Sequence, residues 1–240
     1  MRAADRELLL DLFGELRHPL ASRCAAELAA SPRFGTFLER YRGKIGRKAR
    51  SLEKPESWPD LWLELWTAAR LLADRRFEVA YESFGARKVR GPDLTLTFRT
   101  HIICHVEIKH VRTELSSAKW AEVVCTKLGQ LPTGATSVLL VGTDPEMAEF
   151  CPAETALREL SRRSQQGEDV VFARYGLAGA RDFSRQIPRL GGVLHVANWN
   201  LTTPARLSLW QNPTARHRLP PDLARALLAG ISASAKPEQS

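Results

Sequence analysis

Apolar and polar positions alternate along this chain with two different periods, and the changes of period divide it into elements. Near the start, Leu8, Leu9, Phe13 and Leu16, then Leu20, Cys24 and Leu28, recur at three- and four-residue spacing, which predicts helix over residues 1–40. Residues 51–56 read as a linker. Ser57-x-x-Asp60, with Pro59 in the first turn, has the pattern of a capping box, and Leu61, Leu65, Ala68 and Leu72 form the stripe of a helix ending near Asp74. The period then falls to two, giving strands at 77–83, 93–98 and 102–109. A second helix is predicted over 114–131, stopped by Pro132-Thr133-Gly134. Residues 137–141 (Ser-Val-Leu-Leu-Val) lack polar alternation, as a central strand buried on both faces does. Beyond lie a helix near 153–165, a strand at 169–173 followed by a Gly-rich turn, short strands at 193–199 and 206–210, and a final helix at 221–229. The tail 232–240 is small and polar, and disorder is expected there. The order predicts an α/β fold, a mixed central sheet flanked by helices.

Two of these strands carry charge on one face only. In 93–98, Leu94, Leu96 and Phe98 share a face, and Asp93, Thr95 and Thr97 share the other. In 102–109, the polar face holds His105, Glu107 and Lys109. The connection Arg99-Thr100-His101 is short enough for a hairpin. Centred on Thr100, that hairpin sets Asp93 across from Glu107, with Cβ atoms about 4.5–5.5 Å apart. Two opposed carboxylates repel, and a divalent cation between them gains two hard oxygen ligands. Lys109 lies one pleat along. On the preceding helix Glu64 borders the apolar stripe, where a carboxylate is costly without a partner, and a metal or Lys109 would serve.

Charge and composition narrow the partners. The chain has 240 residues, 44% hydrophobic and 26% charged, as soluble globular proteins do. No stretch is long and apolar enough to span a bilayer, and the start is too acidic and its apolar run too short for a signal peptide, so a cytoplasmic protein without membrane association is expected. Cys24, Cys104, Cys125 and Cys151 are scattered, which argues for reduced cysteines rather than a disulfide framework or zinc ribbon. The net charge of +8 and pI near 9.7 favour a polyanionic partner. Residues 40–50 contain Arg40, Arg42, Lys44, Arg47, Lys48 and Arg50 and no acid. They read either as a solvated helix face or as a phosphate-contacting arm. Arg87, Lys88 and Arg90 lead into Asp93 and are candidates to clamp a phosphate backbone. His110 and Arg112 read as structural or phosphate-contacting. The polar segment Asn212–His217 reads as a capped turn ahead of the last helix, with a second substrate contact as the alternative.

Gly91-Pro92-Asp93 and Val106-Glu107-Ile108-Lys109 resemble the motif of PD-(D/E)xK nucleases, and the order helix, three strands, helix, strand resembles the shared core of that restriction-endonuclease-like superfamily. The resemblance spans about residues 57–142. It implies a nuclease core there; the flanking residues read as a helical basic extension over 1–56 and a mixed extension over 143–231 packed on the core. It implies further that Asp93 and Glu107 hold Mg²⁺ or Mn²⁺, that Lys109 positions or activates the attacking water, and that Glu64 assists as a catalytic group and a further metal ligand. Lys127, Gln130 and His105 are candidates to line the site. The expected activity is phosphodiester hydrolysis in nucleic acid, DNA before RNA, with a homodimer left open. The alternatives are a catalytically inactive nucleic-acid-binding protein on the same fold, and a basic scaffold with no nucleic-acid role.

Overall fold

The computed structural model describes residues 1–52, 54–83, 91–144, 152–199 and 205–232. The predicted N-terminal helical region is three helices: α1 (Ala3–Phe13), α2 (Pro19–Ala30) and α3 (Pro32–Ser51). Gly14 ends α1 at φ 79°. The side chain of Ser31 caps α3 by accepting from the Phe34 amide at 3.3 Å, and Pro32 takes the first helical position. Residues 40–50 are therefore the second half of a helix. A 3₁₀ turn at Pro55–Ser57 leads directly into α4 (Trp58–Leu72). Ser57 itself has helical dihedrals and makes no capping bond, so the expected capping box does not form.

The sheet has six strands in sequence order: β1 (Phe77–Tyr81), β2 (Leu94–Phe98), β3 (Ile102–Val111), β4 (Thr136–Thr143), β5 (Gly192–Ala197) and β6 (Arg206–Gln211). It is mixed: β3, β4 and β5 run parallel, and the other adjacent pairs are antiparallel. β1 stops two residues short of the expected strand because Glu82 turns to φ 42°. The β2–β3 hairpin turns through Arg99 and Thr100, both at positive φ, and pairs Phe98 with Ile102, so it is centred on Thr100 as expected. Every residue of β4 is buried, as the missing alternation requires.

Helices cover both faces. Cys104, Val106 and Ile108 of β3 join one apolar cluster with α1 to α4 and α9 (Pro221–Ser232). Leu139 and Val141 of β4 join the other with α5 (Ser117–Leu128), α6 (Ala153–Gln165), α7 (Asp169–Ala173) and α8 (Ala180–Gln186). The protein is thus α/β, with N-terminal helices followed by an open six-stranded mixed sheet and interspersed helices.

The strand expected at 169–173 is the short helix α7. Its side chains do not alternate in burial: Phe172 is fully buried against Phe183 while Val170 is 84% exposed. Gly167 at φ 72° turns the chain there, and the Asp169 carboxylate accepts from the first amide of α8 at 2.8 Å. The exposed edge of β1 is guarded by cations of α3. Arg33 donates to the carbonyls of Leu72, Asp74 and Phe77, and Lys44 to those of Tyr81 and Glu82. Among the described residues, Cys24, Cys104 and Cys125 are free and buried, and no helix is long and apolar enough to cross a membrane.

Candidate functional site

The antiparallel ladder between β2 and β3 ends at Leu94 opposite Val106. One step further in the same register, Asp93 stands opposite Glu107. There the strands part, and the Asp93 carboxylate takes the place of a ladder carbonyl: Oδ2 accepts the amide of Ile108 at 2.8 Å. Ile108 lies between Glu107 and Lys109, so this bond ties Asp93 to the β3 backbone between the other two motif residues.

Alternation along β3 sends Glu107 towards α5, where its buried carboxylate is ion-paired with Lys127. Lys127 also lies 3.5 Å from Gln130 Oε1, so Lys127 of α5 and Gln130 just beyond its end, both singled out from the sequence, line this side. His105, on the same face, shares a hydrogen bond with Thr95 at 3.1 Å, and burial lowers its pKa. Lys109 is half-buried, and its side chain makes no hydrogen bond or ion pair among the described residues. It is within electrostatic reach of Asp60.

Glu64 faces the other helical layer. Lys48 of α3 donates to both of its oxygens at 2.9 and 2.8 Å, and the Tyr81 hydroxyl donates to Oε2 at 2.7 Å. Lys48 also reaches Glu82 at 3.4 Å. Burial, then the nearby charge of Asp93, push the Glu64 carboxyl up to about 7 against the opposing pull of Lys48 and Tyr81. For Lys48 burial is the largest single influence and acts downward. Glu64, Asp93 and Glu82 together outweigh it, so its affinity for the proton rises. Asp93 therefore stands between two carboxylate–lysine pairs, Glu64–Lys48 on the α3–α4 side and Glu107–Lys127 on the α5 side.

This arrangement bears on the expected metal ligands. Among the described residues no three His, Cys, Asp or Glu side chains gather closely enough to hold one ion, so Asp93, Glu107 and Glu64 do not form a common ligand cluster. The hydrogen-bond partners of Glu64 are Lys48 and Tyr81, not Lys109. The donor set that fits is sparser: Asp93 and Glu107, two hard carboxylates flanking one amide, suit a Mg²⁺ ion that keeps most of its coordination for water and phosphate oxygens.

The basic run on α3 divides by helical face. Arg40, Arg42, Arg47 and Arg50 are exposed. Arg42 pairs with Glu39, and Arg50 donates to the Asp11 carbonyl. Lys44 and Lys48 point inward and are spent on the β1 edge and on Glu64. Arg87, Lys88 and Arg90 lie outside the described residues.

One constellation was only partly legible. The His110 side chain is 1% exposed, with Nδ1 3.3 Å from Asp60 and Nε2 3.1 Å from Asp144, and Arg112 holds Asp60 from outside at 2.9 Å. Trp199 closes the imidazole edge-on. Burial raises and the His110 hydrogen bond and Arg112 lower the Asp60 carboxyl, with a net downward shift. The structural reading of His110 and Arg112 thus has a concrete form, a tie between α4, β3 and the end of β4. Asp60 and Glu64 are four apart on α4, which was a visible signal of two acids on one helix face. Their partners, from α3 and β3, were not visible. The chain matches no protein-family model, no curated protein and no solved structure.

Proposed function

We propose that the chain is a metal-dependent nuclease of the PD-(D/E)xK type, with a restriction-endonuclease-like core, acting on DNA. The observation that carries this reading is the Asp93 carboxylate on the Ile108 amide, which ties Asp93 to β3 between Glu107 and Lys109 where β2 and β3 part. Asp93 and Glu107 would hold Mg²⁺ or Mn²⁺. The ion would neutralise charge developing on the phosphate and lower the pKa of a bound water. Lys109, half-buried and without a competing carboxylate in contact, brings a positive charge and proton donors to the attacked phosphate. Glu64 acts through Asp93, setting the field at the mouth of the site. The exposed arginines of α3 supply sequence-independent phosphate contacts. Incubating the protein with single- and double-stranded DNA and RNA, in Mg²⁺, Mn²⁺ or EDTA, tests the reading. Cleavage that needs the ion supports it, and no cleavage under any condition sinks it.

A second reading has its own support. Lys127 and Lys48 already neutralise Glu107 and Glu64, which leaves two of the three carboxylates balanced without an ion. That balance suits a nucleic-acid-binding protein that has no catalysis. Such a protein gains no thermal stability from Mg²⁺ or Mn²⁺, whereas the nuclease does.

A further inference from the structure

The turn between β6 and α9 is built more firmly than its polar sequence suggests. Asn212 is buried. Its Nδ2 donates to the carbonyls of Ile187 and Leu190 at 3.0 and 2.8 Å, and its Oδ1 accepts from the amide and hydroxyl of Thr214 at 3.0 and 2.9 Å. The Arg216 amide donates to the Pro188 carbonyl at 2.8 Å, and the Thr136 hydroxyl donates to the Arg218 carbonyl at 3.3 Å. A Cβ on Gly191 would lie 3.2 Å from the His217 carbonyl, so the turn is also packed closely from below. The backbone of 212–218 is fixed at several points against the starts of β4 and β5, while the side chains of Arg216, His217 and Arg218 are exposed. Arg189 lies half-buried on the adjoining turn.

Arg174 and Arg181 are without a carboxylate partner among the described residues, but other arginines of the C-terminal half are already neutralised. On α6 and α8, Arg158, Arg162, Arg163 and Arg185 each pair with an acid three or four residues away. Among the described residues, Arg189, Arg216 and Arg218 pair with no carboxylate. Cations held close together on a rigid turn repel one another and are relieved by an anion, and a rigid backbone loses little further entropy when that anion arrives.

We propose that this turn, with Arg189, is a contact for the phosphate backbone of nucleic acid, separate from the Asp93 centre. The inference rests on the nucleic-acid half of the proposed function and is independent of catalysis. Arg218 abuts Thr136 at the start of β4, and Lys109 pairs with Val141 on the same strand. Five residues of strand separate the two, roughly 17 Å at about 3.3 Å per residue. The contact positions the polymer and does not read its sequence.

The test is equilibrium binding of a fluorescent DNA duplex to the full chain in EDTA, over a range of salt. Replacing both Arg216 and Arg218 by Ala is expected to weaken binding about tenfold near physiological salt and to lower the log–log salt slope by about 2, one for each lost phosphate contact. The melting temperature should not change, and Arg216→Lys with Arg218→Lys should restore most of the slope. Unchanged affinity and slope in the Ala variant, with an intact melting temperature, would overturn the proposal. So would a loss that the Lys variant fails to relieve, or a variant that keeps DNA binding and loses only sedimentation with phosphatidylserine vesicles. A chain that shows the expected slopes but cleaves nothing supports this contact and removes the nuclease reading alone.

Discussion

Glu64 and Glu107 are the acidic side chains buried among the described residues, and each has a lysine of its own. A buried pair is expensive to break from one side only. Lys127→Met should therefore cost roughly 3 kcal/mol or more in urea unfolding, and adding Glu107→Gln should recover most of it. A loss under about 1 kcal/mol would mean that the pair behaves as a solvated surface bridge. In the same variant Glu107 loses its lysine, so Mn²⁺ should raise the melting temperature more than in the wild type. Glu64 gives a prediction of opposite character. Its carboxyl is raised from 4.5 to about 7, chiefly by burial. The folded state then binds the proton more tightly than the unfolded one. That contribution is complete below about pH 4.5 and is lost as the pH rises through about 7, to the extent of roughly 3 kcal/mol. Glu64→Gln should gain stability relative to the wild type between about pH 4 and about pH 8 in chemical denaturation. A difference between the two proteins that is flat with pH would show that Lys48 keeps the carboxyl ionised throughout.

Among the elements, the strands were the most legible, because alternation and the three-residue hairpin fix register together. The centre at Thr100 and the fully buried β4 both follow from period alone. What period cannot show is which element lies against which. Lys48 reads as one of six cations on a basic run, and only the packing of α3 on α4 and β1 turns it towards Glu64. The short helix α7 reads as a strand because two adjacent valines and a phenylalanine carry strand propensity, whereas the chain turns at Gly167 and buries only Phe172 of the segment. Close packing of α4 on the sheet has its own sequence signature, seen only in retrospect. A Cβ on Gly142 of β4 would come within 2.6 Å of Leu63 and 3.1 Å of Trp199. Gly142→Val should cost about 1–3 kcal/mol by overpacking. Trimming Leu63 to Ala in that background should cost less than it does in the wild type, which a double-mutant cycle measures. Independent effects would mean that α4 shifts freely over β4.

For the whole molecule, six strands in sequence order leave Asp93, Glu107, Lys109 and the end of β4 at one end of the sheet and the basic turn at the other. The net charge of +8 was plain from composition. Its distribution was not, since many arginines are neutralised within their own helices and Lys44 and Lys48 are used internally. The site's motif was legible as far as the residues that alternation places, and its balancing lysines were not. The central claim is that Lys109 acts on a phosphate beside Asp93 and Glu107. It is tested most directly by the Mg²⁺-dependent rate of duplex DNA cleavage in wild type and in Lys109→Ala, with Mn²⁺-induced stabilisation followed in both. The account predicts cleavage by the wild type that EDTA abolishes, and a variant that is still stabilised by the ion yet cleaves at least about a hundredfold more slowly. A Lys109→Ala protein that cleaves at the wild-type rate would contradict it.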